Sequence, residues 1–228
     1  MTAFQPDAAT AATAPVRTHR LIPSRFPPVQ TFDMADTAED LAAVMELEGW
    51  TNDRLSETRL RRLPEEEWVF GRPNASIVMA SFLHGSPNGL RFTSPDLGAW
   101  YASSKLETAM VEVLNGLRRE IGLSALDEKV EEYRAYTARL DGSFVDIRGT
   151  RPDLHDPDIA SYPQCQRFGE EVRASAWTGI AYDSVRHPGG ENWVSYRPTA
   201  VTRVTQAQHY RATLRATGKV IVEQIAAP

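Results

Sequence analysis

The chain has 228 residues, of which 42% are hydrophobic, 24% charged and 9% aromatic, the balance of an ordinary single globular domain. Its 25 Lys and Arg against 30 Asp and Glu leave a net charge of −5, so no overall positive field attracts nucleic acid or anionic lipid. One cysteine and five histidines exclude an internal disulfide and any multi-cysteine zinc or iron–sulfur site. No apolar run approaches the roughly 18 to 20 residues of a membrane span, and the N-terminus lacks the basic and apolar regions of a signal peptide, which together predict a cytoplasmic protein.

In chain order, residues 1–16 are rich in Ala and Thr and read as a tail, leaving residues 17–228 as one domain. The stretch Arg20 to Phe32 contains Pro23, Pro27 and Pro28, which forbid helix and favour an extended segment laid over the domain. Asp36 and Glu39 have capping-box spacing and open a helix with Leu41, Val44 and Met45 on one face and Gly49 as its stop. SIVMASF (76–82) is a continuous apolar run of strand length and predicts a buried strand.

GAWYAS (98–103) predicts a second strand that feeds a helix directly. Ser104 and Glu107 form the capping-box pattern there, and Leu106, Met110, Val113, Leu114, Leu117 and Ile121 make one apolar stripe. Asp141-Gly142 reads as a hairpin turn between two strands. Pro163 opens a helix that runs to about Ala174 with Phe168 and Val172 inward. TGIAYDSV, NWVSY and a closing pair around Thr217-Gly218 supply more strand. About three helices and seven or more strands without regular βαβ alternation predict an α+β domain, a mixed, strand-rich sheet with flanking helices.

The P-loop, G-x-G-x-x-G, H-E-x-x-H and G-x-S-x-G patterns are all absent, which removes the usual sequence support for Walker-lysine, Rossmann, zincin and hydrolase-elbow chemistry. Cys165, in a helix without a nucleophile signature, reads as an ordinary half-buried thiol. Arg91 and Tyr101 lie ten residues apart, and Tyr101 and Glu112 eleven. Glu112 falls on the polar side of its helix with Lys105, Thr108 and Arg119, where periodicity alone predicts a solvated carboxylate. By the same standard Arg91 is a surface charge and Tyr101 a strand aromatic packed on the core.

LRFTSPDLGAWYASSKLETAMVE (90–112) resembles the first signature of RES-domain proteins, and GIAYDSVRHPGGENWVSYRP (179–198) resembles the second. Similarity extends to TNDRL (51–55), VDIRG (145–149) and LHDP (154–157), from about Arg20 to Arg203. The resemblance implies a toxin of a bacterial toxin–antitoxin pair that consumes NAD+ as substrate, on a fold related to ADP-ribosyltransferase toxins. The N-terminal extension is similar to the ParT type, which implies ADP-ribose transfer to a protein. The resemblance also implies a cognate antitoxin protein as partner, and its matched site residues are Arg91, Tyr101, Glu112 and Ser184. GGENWVSY is more polar than the family's second signature, which leaves the role of Asn192 open.

That chemistry suits these residue types. Cleaving the nicotinamide–ribose bond leaves an oxocarbenium-like sugar, which a carboxylate stabilises, the role that falls to Glu112. The NAD+ pyrophosphate calls for arginines, Arg91 first and Arg54 second. Tyr101 offers either a flat face to the nicotinamide or a hydroxyl to the ribose. Ser184 and Asn192 complete the candidate NAD+-binding set, although Ser184 could equally just turn its strand, and the HPGG loop (187–190) either lends amides to the ligand or is a plain turn. No metal is required. The alternatives are an NAD+ phosphorylase or glycohydrolase without a protein acceptor, and a non-enzymatic interaction module.

Overall fold

The computed structural model describes residues 11–26, 30–49, 60, 62–123, 126–215 and 219–226. Four α-helices lie among them: α1 (Ala38–Gly49), α2 (Ala75–Leu83), α3 (Leu106–Leu123) and α4 (Tyr162–Arg173). The strands are β1 (Ala11–Ala12), β2 (Thr18–Pro23), β3 (Trp100–Ser103), β4 (Glu128–Leu140), β5 (Phe144–Asp146), β6 (Gly179–Asp183), β7 (Glu191–Ser195), β8 (Val201–Arg215) and β9 (Ile221–Ile225). They form one mixed sheet in the order β1-β5-β6-β7-β3-β2-β4-β8-β9. The fold is α+β, as the sequence predicts.

The sheet behaves as two wings. In one, β5 and β6 run parallel, while β6, β7 and β3 are antiparallel neighbours. In the other, β2, β4, β8 and β9 are antiparallel, with long β4 and β8 paired from Glu128↔Arg215 to Leu140↔Val201. A single residue pair, His19↔Ser103, joins β2 to β3 and so links the wings.

Each wing has its own apolar packing. The stripe on α3 covers the second wing: Ala109, Leu117 and Ile121 pack with Leu21, Tyr133, Ala135, Ala212 and Leu214. The larger core lies against the other wing, where Phe32, Leu41, Val78 and Phe82 meet Trp100, Phe144, Trp193 and Val194. Burying this many large side chains is the main drive for the fold, at about 1.5–3 kcal/mol for each fully buried one.

Several local expectations change. SIVMASF is not a strand but most of helix α2. The segment is buried nearly all round, so no periodicity separates helix from strand. Its start is capped from a distance: Asp33 accepts hydrogen bonds from the backbone N–H groups of Asn74 (2.7 Å) and Ser76 (2.7 Å), which no neighbouring residue announces. The Asp141-Gly142 turn exists, with Gly142 at φ 98°, but β4 and β5 do not pair across it. Asp141 N–H donates to the Ala200 carbonyl and β5 turns away to join β1 and β6, so the chain crosses between wings here.

Of the Pro-containing segment, Arg20 to Pro23 lies in the inner strand β2 between β3 and β4 rather than over the domain, residues 24–26 turn, Thr31–Asp33 forms a short 3-10 helix, and Pro27 and Pro28 lie outside the described residues. The capping box of α1 sits one residue later than expected, with Thr37 Oγ1 accepting from Asp40 N–H and Asp40 Oδ2 accepting from Thr37 N–H, both at 3.0 Å. At α3, Ser104 donates its hydroxyl to Glu191 instead of capping the helix. Ala11 and Ala12, within the stretch read as a tail, pair with β5. Thr217-Gly218 lies outside the described residues.

Candidate active site

Strand alternation assembles one polar face. Residues directly opposite on neighbouring strands point the same way, as do residues i and i+2. The registers Tyr101↔Val194, Ser103↔Asn192 and Tyr182↔Asn192 therefore place Tyr101, Ser103, Asn192 and Tyr182 on one face of β3, β7 and β6. Ser184, two residues beyond Tyr182, continues that face past the end of β6. The opposite side carries Trp100 and Trp193, both fully buried.

Glu112 reaches this face from α3. Its Oε1 accepts the Ser184 hydroxyl at 2.6 Å and the Asn192 side-chain N–H at 2.8 Å. Ser184 Oγ accepts from the backbone N–H groups of Arg186 (3.2 Å) and His187 (2.9 Å), so its single proton is directed to Glu112. Asn192 Oδ1 accepts the Ser103 hydroxyl at 2.6 Å, which fixes the amide with its N–H group toward Glu112. Among the described residues, Oε2 of Glu112 has no hydrogen bond. The half-buried carboxylate is thus held by one oxygen and presents the other.

Thr108, one turn earlier on α3, is fully buried and bonds His187 Nδ1 at 2.9 Å. The 184–190 loop therefore covers the face that periodicity assigns to solvent at Thr108 and Glu112, while Lys105 and Arg119 on the same face stay exposed. Gly190 lets the loop approach: a Cβ there would fall within 3 Å of the Thr108 side chain.

Arg91 lies in the loop before β3 and is 7% exposed. Its Nη1 donates to the carbonyls of Leu154 (3.1 Å) and Asp156 (2.8 Å), and its guanidinium stacks over the Tyr162 ring at 5.1 Å. Nη2 is buried without a partner, and no carboxylate pairs with this cation among the described residues. The surface charge expected from sequence is instead a buried cation that anchors the 154–156 segment. Cys165 is likewise fully buried, against Leu154 and Arg91.

The Tyr101 hydroxyl donates to Thr93 Oγ1 at 3.2 Å and accepts from Phe92 N–H at 3.1 Å, which ties it to the turn that carries Arg91. Burial pushes this phenol well above its ordinary range, outweighing the lowering effect of those hydrogen bonds. Its donor is committed, so the ring rather than the hydroxyl is the part available to a ligand.

Sequence reasoning passed over two residues here. Tyr182 is buried, and its phenol is raised well above the ordinary value, first by desolvation and next by the Glu112 charge, with Arg91 acting in the opposite sense. One phenol thus feels both the carboxylate and the guanidinium. The period of two that brings it to the face of Ser184 was the available signal. Arg20, on β2, donates from Nη1 to the Tyr101 carbonyl at 3.0 Å and stacks on Trp100 at 4.8 Å; burial lowers its pKa to about 10, so it stays charged at neutral pH. Nothing in its local sequence sets it apart from other arginines.

Of the sequence-predicted residues, Glu112, Ser184 and Asn192 are in direct contact, and Arg91 and Tyr101 meet through the Arg91–Thr93 turn. Arg54 lies outside the described residues. The RES domain profile matches residues 59–215, more than half of the chain and every described residue of this site except Arg20. The chain belongs to the RES domain family. RES-domain proteins form a toxin–antitoxin-associated, NAD-utilising family. The chain is also 29% identical, over 196 residues, to the uncharacterized protein y4oC of Sinorhizobium fredii (strain NBRC 101917 / NGR234), a match covering 85% of this chain and 80% of that protein. Among the described residues, no cluster of three or more His, Cys, Asp or Glu side chains is placed to hold a metal ion, and no helix is long and apolar enough to cross a membrane.

Proposed function

We propose that this RES-domain protein is the toxin of a toxin–antitoxin pair, cleaving the nicotinamide–ribosyl bond of NAD+ and transferring ADP-ribose to a protein. The observation that carries the reading is the Glu112 carboxylate, fixed through Oε1 by Ser184 and Asn192 with Oε2 unbonded among the described residues, on a face shared with Tyr101 and Tyr182.

In this reaction the bond between nicotinamide N1 and ribose C1′ breaks, and its electron pair leaves with the nicotinamide, which becomes neutral. Positive charge develops on the ribose, and a preorganised carboxylate in a water-poor site stabilises it. Glu112 Oε2 is the oxygen available to the sugar. A nucleophile of the acceptor protein then forms a bond to C1′ and loses its proton. Arg91 suits the pyrophosphate: a buried guanidinium with an orphaned Nη2 and no carboxylate partner among the described residues is a cation that an anionic ligand would complete. The Tyr101 ring suits the nicotinamide, since its hydroxyl is already engaged.

A toxin of this kind requires restraint in its own cell, which an antitoxin protein that covers the face of Glu112 would supply. A complex in which that face stays open and active would contradict this part. The function is tested by incubating the protein with a cell lysate and NAD+ labelled in the adenosine moiety, followed by mass spectrometry. Labelled protein is the expected product. Labelled ADP-ribose phosphate or free ADP-ribose would show phosphorolysis or hydrolysis instead, and unreacted NAD+ would support an interaction module.

A further inference from the structure

Asn192 has the composition of a substrate-binding residue but not the placement of one. It is 2% exposed, and its two polar groups are both spent within the protein. Ser103, 3% exposed on the adjoining strand, has its hydroxyl on the Asn192 carbonyl. The Ser103↔Asn192 pairing sets these side chains on one face at strand spacing, and Ser103 is also the residue through which β3 meets β2. The chain of bonds has a fixed direction: Ser103 donates to Asn192, and Asn192 donates to Glu112.

We infer that Ser103 and Asn192 form a positioning relay that sets the Glu112 carboxylate, by keeping the Asn192 amide N–H on Oε1 and so leaving Oε2 for the ligand. Without the Ser103 hydroxyl, the amide loses the contact that distinguishes its oxygen from its nitrogen. A rotated amide would set its carbonyl oxygen against Glu112, turning an attraction into a repulsion. Ser184 alone, bonded to the same oxygen, does not fix the plane of the carboxylate. In its functional part, the inference rests on the NAD+-cleaving reading.

The test compares wild type with Ser103→Ala and Ser103→Thr, by steady-state nicotinamide release with lysate proteins as acceptor and by the side-chain carboxyl carbon resonance of Glu112, assigned through its loss in Glu112→Gln. For Ser103→Ala, kcat should fall about tenfold with KM for NAD+ unchanged within about twofold, the expected effect of misorienting a group that acts in the transition state. The Glu112 resonance should shift, and Ser103→Thr, which keeps a hydroxyl, should recover most of the rate. An unchanged kcat in Ser103→Ala, or a fall in kcat that merely follows a lowered melting temperature, would overturn the relay. If wild type releases no nicotinamide, the NAD+-cleaving reading fails. The resonance then decides the relay by itself: a shift in Ser103→Ala upholds it and an unmoved signal refutes it.

Discussion

Replacing Glu112 by Gln removes the negative charge and keeps the shape of the side chain. Because the Ser184 hydroxyl and the Asn192 N–H both bond the same oxygen, at 2.6 and 2.8 Å, the carbonyl oxygen of Gln can accept both, and its NH2 group takes the place of Oε2. Two charge-assisted hydrogen bonds become neutral ones, a loss of roughly 0.5–1 kcal/mol each that is offset by no longer holding a half-buried charge. Stability should therefore change by no more than about 1 kcal/mol, or a melting-temperature shift of about 2–4 °C for a chain of this size. Turnover should respond far more: losing a preorganised stabiliser of transition-state charge reduces kcat about a hundredfold or more, equivalent to about 2.7 kcal/mol. The assay is nicotinamide release from NAD+ followed by chromatography, alongside thermal unfolding. A folded Glu112→Gln protein that releases nicotinamide at the wild-type rate would refute the assignment.

Arg91→Ala should weaken NAD+ binding, and it also strands the Leu154 and Asp156 carbonyls, so a destabilisation of roughly 1–3 kcal/mol should accompany it; a wild-type dissociation constant by calorimetry would count against the pyrophosphate role. Tyr182 and Tyr196 are buried with phenols raised well above 10.0, so they stay protonated in the folded protein while the unfolded chain ionises. The unfolding free energy should then fall as pH rises above about 10, by about 1.4 kcal/mol per pH unit for each phenol, and a flat stability profile from pH 9 to 11 would contradict their burial. Arg148 holds the Asp146 carboxyl below its ordinary range, so its stabilising contribution is present above about pH 4 and is lost on acidification. Asp146→Asn should accordingly flatten the acid limb of the melting-temperature profile. Gly179→Ala should fail to give soluble, cooperatively folding protein, since its Cβ would overlap the Val194 carbonyl on the paired strand; a normal melting curve would argue against the β6–β7 register.

Local chemistry made much of the fold legible. The stripe from Leu106 to Ile121 announced α3, and the short runs TGIAYDSV and NWVSY announced β6 and β7, because each feature is decided by neighbours within a few residues. Helix α2 was not legible, since a segment buried on all sides has no periodicity and its cap is supplied by Asp33, over 40 residues away. The strands around Asp141-Gly142 looked like a hairpin because turn chemistry is local, whereas partner choice was settled by the wing each strand joined. At the site, family resemblance singled out Arg91, Tyr101, Glu112 and Ser184, but periodicity left Glu112 in solvent. What turns that carboxylate into a site is contact with Ser184 and Asn192, separated from it by 72 and 80 residues. Ser103 and Tyr182 gain their roles from strand register, and Thr108 from the loop that packs on α3.

The most direct test is whether wild-type protein, purified free of any partner, releases nicotinamide from NAD+ once a cell lysate supplies the protein acceptor. The account predicts stoichiometric nicotinamide formation with loss of NAD+, abolished in Glu112→Gln. NAD+ that remains intact after prolonged incubation with folded wild-type protein would contradict it.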